Sequence, residues 1–91
     1  MKVLVLYRPD SEHGRSIESF IRDFKYQHES NADLLDVQNV DTREGVATSS
    51  LYDIVQYPAV LIIGDDGQLL KDWQGANLPL MEEVAGYVYG S

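Results

Sequence analysis

Cysteine occurs nowhere among the 91 residues, and that single absence removes disulfides, thiolate metal sites and thiol nucleophiles together. Basic side chains are also scarce: seven Lys and Arg stand against fifteen Asp and Glu, for a formal charge of -8. A chain so acidic repels phosphate backbones, which excludes nucleic acid as an expected partner and favours a protein or peptide with a basic surface. No stretch approaches the ~20 consecutive apolar residues of a membrane span. The start, Met1-Lys2-Val3, leads into a strand-like run without the layout of a signal peptide, so a cytoplasmic location and no membrane partner are expected. Only three prolines and two histidines are present. Each proline therefore marks where an element starts or stops, and a metal centre is not expected.

What is present describes one small α/β domain spanning residues 1–91, with 44% hydrophobic residues to form one modest core. Val3-Leu4-Val5-Leu6-Tyr7 is an uninterrupted apolar run, as a central strand requires. Pro9 ends it, and Asp10 or Ser11 can cap a helix whose apolar stripe is Ile17, Phe20, Ile21 and Phe24. His28 lies near that helix's negative pole. Residues 34–40 are too polar for a central strand and suit an edge. Asp41 or Thr42 then caps a second helix, on which Val46, Ala47, Ser50, Leu51 and Ile54 form the expected buried side.

Pro58 opens the next run, Ala59-Val60-Leu61-Ile62-Ile63, apolar throughout and expected to be covered on both faces. Asp66-Gly67 supplies positive φ angles for a tight hairpin, and Leu69, Leu70 and Trp73 belong to its second strand. After Gly75-Ala76-Asn77, Asn77 can cap a last helix with Pro79 in its first turn and Leu80, Met81, Val84, Ala85 and Val88 on its apolar side. The order is β-α-β-α-β-β-α.

That order, with a proline at the third strand, resembles the thioredoxin-like superfamily of thioredoxins and glutaredoxins. The resemblance rests on the Val3–Tyr7 strand, Ser11-Glu12-His13-Gly14-Arg15, Tyr52-Asp53-Ile54-Val55, Tyr57-Pro58-Ala59-Val60-Leu61-Ile62, Asp66-Gly67 and Trp73-Gln74-Gly75, and covers nearly the whole chain. It implies a three-layer α/β/α sandwich around a four-stranded mixed sheet of order 2-1-3-4. It also implies a cis Tyr57-Pro58 bond facing the start of the first helix. There the family carries Cys-x-x-Cys, and this chain has Ser11, Glu12, His13 and Gly14. A second register sets Glu12 and Arg15 at the cysteine positions. Neither supplies a thiol, and Leu4-Val5-Leu6 lacks the family's buried acid, so dithiol-disulfide exchange is excluded for the isolated chain.

Three functional readings follow. In the family, the residue before the cis-proline presents its main-chain N–H and C=O to an extended peptide or to glutathione, a strand-like mode that needs no cysteine. Tyr57 holds that place, and Arg8, Ser11, His13, Arg15 and Pro58 complete a candidate surface that could also hold a small anion at the helix start. The family's glutathione turn, Gly-Gly-x-Asp-Asp, is replaced by Gly75-Ala76-Asn77-Leu78. A second reading is a structural or oligomerisation domain using an edge strand or Tyr87 and Tyr89. A third is a cysteine-independent enzyme acting on glutathione or an anion. Ser11 beside His13 does not make a nucleophile and base, because neighbours in a first helical turn diverge, and no catalytic residue is assigned. Asp10, Glu12 and His13 read as a solvated loop, with no cofactor expected.

Overall fold

The computed structural model describes residues 1–9, 11–12, 14–28, 33–75 and 78–89. Its elements are β1 (Lys2–Tyr7), α1 (Gly14–Gln27), β2 (Leu35–Asn39), α2 (Arg43–Leu51), β3 (Ala59–Ile63), β4 (Leu69–Gln74) and α3 (Met81–Tyr89). The four strands form one sheet of order β2-β1-β3-β4. β1 runs parallel to β2, and β3 is antiparallel to both β1 and β4. No helix among the described residues is long and apolar enough to cross a membrane.

Strand residues alternate between faces, so the apolar run of β1 divides in two. Val3 and Val5 join Val60 and Ile62 beneath Ile17, Phe20 and Phe24 of α1 and Val84 of α3. Leu4 and Leu6 join Leu61 and Ile63 on the other face, packed with Val40, Ile54, Tyr52 and Tyr57. Cover on both sides is why neither central strand alternates with polar residues. β3, between two neighbours, is buried at every position.

Several elements differ from the sequence expectation. α1 begins at Gly14, not at Ser11: Ser11 N–H reaches Arg8 O at 3.1 Å and its carbonyl accepts from Gly14 N–H at 3.1 Å, so Ser11 belongs to a turn that delivers the chain to the helix. The hairpin uses one positive φ, at Gly67 (86°), and not at Asp66. Gly67 N–H bonds Gly64 O at 2.9 Å and Gly64 N–H bonds Gln68 O at 2.8 Å. This is a four-residue turn closed by a left-handed glycine, with Asp66 Oδ1 accepting from Gln68 N–H at 3.0 Å.

The largest departure is at α2: of its expected buried side, Ile54 is buried but lies beyond the helix, whereas Val46, Ala47, Ser50 and Leu51 are exposed. Val46 is 57% and Leu51 72% exposed, whereas Gly45 and Ser49 are its buried residues. Close approach decides the rotation: a Cβ on Gly45 would lie 2.1 Å from the Asn39 carbonyl oxygen, so the helix lies nearly on the end of β2. Only small side chains fit between. Thr42 caps this helix as expected, its Oγ1 accepting from Gly45 N–H at 3.0 Å, and Ser49 Oγ donates to Gly45 O at 2.8 Å.

The helix stops at Leu51, leaving Ile54 beyond it. Asp53 takes φ 55°, Ile54 N–H bonds Ser49 O at 2.8 Å and Asp53 N–H reaches Ser50 O, a Schellman ending with aspartate where glycine is usual. α3 likewise starts later than expected, with Pro79 before it and Leu80 61% exposed. Glu83 closes its first turn: its carboxylate accepts from Leu80 N–H and its N–H bonds Leu80 O, both at 3.0 Å. The expected caps at Asp10 and Asn77 lie outside the described residues.

Candidate functional site

Chain direction gathers the candidate residues at one end of the sheet. β1 and β2 finish there at Tyr7 and Asn39, β3 begins there at Ala59, and Gln74 of β4 pairs with Ala59. The Tyr57-Pro58 bond, immediately before β3, is cis. Pro58 is buried, and its carbonyl accepts from Gly75 N–H at 3.0 Å. Tyr57 is half-buried, with its ring against the Leu4–Leu6 side of the core and its hydroxyl 3.5 Å from Ile54 O. Among the described residues, no hydrogen bond uses the main-chain N–H or C=O of Tyr57.

The segment leading to Tyr57 is held by a residue to which sequence reasoning gave no role. Gln74 Oε1 accepts from Val55 N–H at 3.1 Å and Gln56 N–H at 3.3 Å, and its Nε2 donates to Asp72 at 2.7 Å. Gly75, at φ 82°, passes so near that a Cβ would meet Gln56 Oε1 at 2.7 Å. Gln74 thus meets donors that an irregular segment would otherwise leave unpaired. Its position on an edge strand just before a glycine was the available signal.

Across from this segment, Arg8 follows β1 and is exposed. Its guanidinium forms a fork on Asp41, Nε to Oδ2 at 2.9 Å and Nη2 to Oδ1 at 3.0 Å. These hydrogen bonds, joined by the charge of Arg8, hold the Asp41 carboxyl below its ordinary range. In turn they raise Arg8, to which the Tyr57 phenol adds a smaller contribution. Arg8 is therefore matched to a carboxylate 33 positions away, a partner no local pattern announces. Tyr7, at the end of β1, has its phenol raised by burial first and then by Glu18, whose carboxylate lies at 3.5 Å.

Of the positions that the resemblance sets against the family's cysteine motif, Ser11 is half-buried and Glu12 exposed, while His13 lies outside the described residues. Gly14 is buried, and a Cβ there would meet the Pro9 carbonyl oxygen at 2.5 Å. Arg15 is exposed in the first turn of α1. The register through Glu12 and Arg15 thus has room for side chains, and the one ending at Gly14 requires the loop to move. No cluster of three metal-binding side chains occurs among the described residues.

Among the described residues, a cavity of about 400 Å³ at the opposite end of the sheet is bounded by Lys2, Tyr52, Ile63 and the β3–β4 turn, and another of about 140 Å³ runs between the sheet and α2, lined by Leu4, Gln38, Thr48 and Leu51. The tyrosines considered for self-association are engaged within the chain: Tyr87 meets Trp73 edge-on at 6.1 Å, and Tyr89 OH is 3.0 Å from His28 Nδ1. Comparison with known proteins finds no matching family and no matching curated protein.

Proposed function

We propose that this chain is a redox-inactive thioredoxin-like domain that docks an extended peptide segment along Tyr57-Pro58. The observation that carries the reading is the pair of unused main-chain groups on Tyr57, beside a buried cis-proline at the sheet end where α1 is launched. An extended peptide can pair with that N–H and C=O as a short added strand, and the half-buried Tyr57 ring and exposed Val55 offer apolar contact on either side. The sheet order, the antiparallel final hairpin and helices on both faces support the thioredoxin-like reading. With no cysteine, the domain binds without exchanging disulfides. The net charge of -8 favours peptides with basic residues flanking the docked stretch.

Amide shifts of the 15N-labelled protein test this. A panel of extended peptides carrying Lys or Arg should move residues 8–15 and 56–59 saturably, and N-methylation of the pairing peptide amide should abolish the effect. Glutathione should move neither segment. Shifts that avoid residues 56–59, or that survive N-methylation, defeat the proposal.

A further inference from the structure

One buried amide in the cavity between the sheet and α2 is only half used. Gln38 of β2 is 9% exposed and lines that cavity with Leu4, Thr48, Leu51, Tyr52 and Ile63. Its Nε2 donates to Asp36 Oδ2 at 3.3 Å and to Glu44 Oε1 at 3.1 Å. Ionised carboxylates only accept, so these two partners fix which end of the amide is nitrogen. The oxygen on the other side, Oε1, is buried and accepts no hydrogen bond among the described residues. A buried acceptor without a donor is costly, and where one persists in a cavity wall the donor is expected from what the cavity holds. Leu51, 72% exposed, can turn aside at the rim to admit it.

Size and polarity narrow the occupant. About 150 Å³ of aliphatic-lined space is enough for a benzene-sized molecule, and this cavity offers about 140 Å³. Leu4, Leu51 and Ile63 supply aliphatic walls, and Tyr52 adds a ring whose hydroxyl is already committed to Gly67 O at 2.9 Å. An anion would be repelled by Asp36 and Glu44, the carboxylates that hold Gln38, and an ammonium would give up its hydration against aliphatic walls. Lys2, also in the lining, is engaged by Asp36 at 3.6 Å. The geometry points to a binding site for a small uncharged molecule with a ring-sized apolar body and one O–H or N–H group, which it donates to Gln38 Oε1. The neighbouring cavity of about 400 Å³ shares Lys2, Tyr52 and Ile63, so a substituent on the ring has room to extend. Tyr57 and Pro58 belong to neither lining, which makes this site independent of peptide docking.

The probes are p-cresol and its methyl ether, 4-methylanisole, of which only the first can donate a hydrogen bond. In the 15N-labelled protein p-cresol should shift the amides of residues 38, 48–52 and 63 saturably. The ether should bind at least about tenfold more weakly, because it leaves Oε1 unmet. Gln38→Met keeps the length and apolar stem of the side chain but removes the acceptor, and should level the two affinities. The matched pair decides on the unaltered protein, so the inference stays open to refutation if that variant fails to fold. Equal affinities for the unaltered protein, a preference for p-cresol that survives Gln38→Met, saturable shifts confined to other residues, or no saturable shift at all overturn it.

Discussion

Two glycines sit in helices of nine residues each, and alanine should act on them in opposite directions. At Gly45 the added Cβ falls 2.1 Å from a backbone oxygen that belongs to the end of β2 and cannot rotate away. α2 must withdraw, and overpacking of this kind costs about 1–3 kcal/mol. Withdrawal also strains the Thr42 cap, worth about 1 kcal/mol, while alanine's better helix propensity returns about 1 kcal/mol. The cap and propensity contributions offset each other, so the net expectation for Gly45→Ala is a loss of about 1–3 kcal/mol. Gly86 in α3 has nothing within 4 Å of its ideal Cβ, so Gly86→Ala should gain about 1 kcal/mol from propensity alone. Urea unfolding followed through the single Trp73 reads both. With a slope near 1 kcal/mol/M for so small a domain, the midpoint should fall by about 1–3 M in the first variant and rise by about 1 M in the second. A Gly45→Ala protein as stable as the parent, with α2 intact, would refute the close approach and the outward rotation deduced from it.

Other expectations are as specific. Asp53→Gly should raise stability by about 0.5–1 kcal/mol, because glycine occupies the left-handed position ending α2 without steric cost; a destabilised variant in thermal melts would contradict the assigned turn. The Asp41 carboxyl is lower in the folded than in the unfolded chain, so the Arg8 pair stabilises above the unfolded value and that contribution fades as pH falls through the folded one. Arg8→Gln should return the Asp41 titration, followed by carboxyl NMR, toward the ordinary range and flatten that part of the acid stability profile. Phe24→Ala, deleting a fully buried ring beneath α3, should cost about 3–5 kcal/mol in urea unfolding; a change under about 1 kcal/mol would mean that α1 is not seated there. A cysteine pair at positions 12 and 15 should be accommodated with little loss of stability, whereas Gly14→Cys, alone or paired with Ser11→Cys, should be destabilising because of Pro9; comparative melts decide.

Hydrophobic pattern was enough to read β1, α1 and β3, because each buries large side chains at the period of its own geometry. It was enough for the sheet edges too, where polar β2 indeed lies outermost. It misled at α2. There the constraint is the distance between two backbones, and the residues that satisfy it, Gly45 and Ser49, carry almost no hydrophobic signal. The late starts of α1 and α3 have a related cause: the turn at Arg8–Ser11 and the reciprocal bonds of Leu80 and Glu83 are main-chain arrangements compatible with many side chains. At the candidate site, Tyr57, Pro58, Arg8 and Ser11 were visible as residue types. The fork of Arg8 on Asp41 and the grip of Gln74 on the Val55–Gln56 segment join distant positions and emerge only on folding.

Gln74 has one more consequence. By clasping two successive amides of the segment that precedes Tyr57, a side chain on the outermost strand becomes the hinge pin between the final hairpin and the turn that carries Tyr57. Fraying of β4 should therefore be transmitted: solvent exchange at the amides of Val55 and Gln56 should keep pace with that of the strand, and a bound guest at Tyr57 should slow both together.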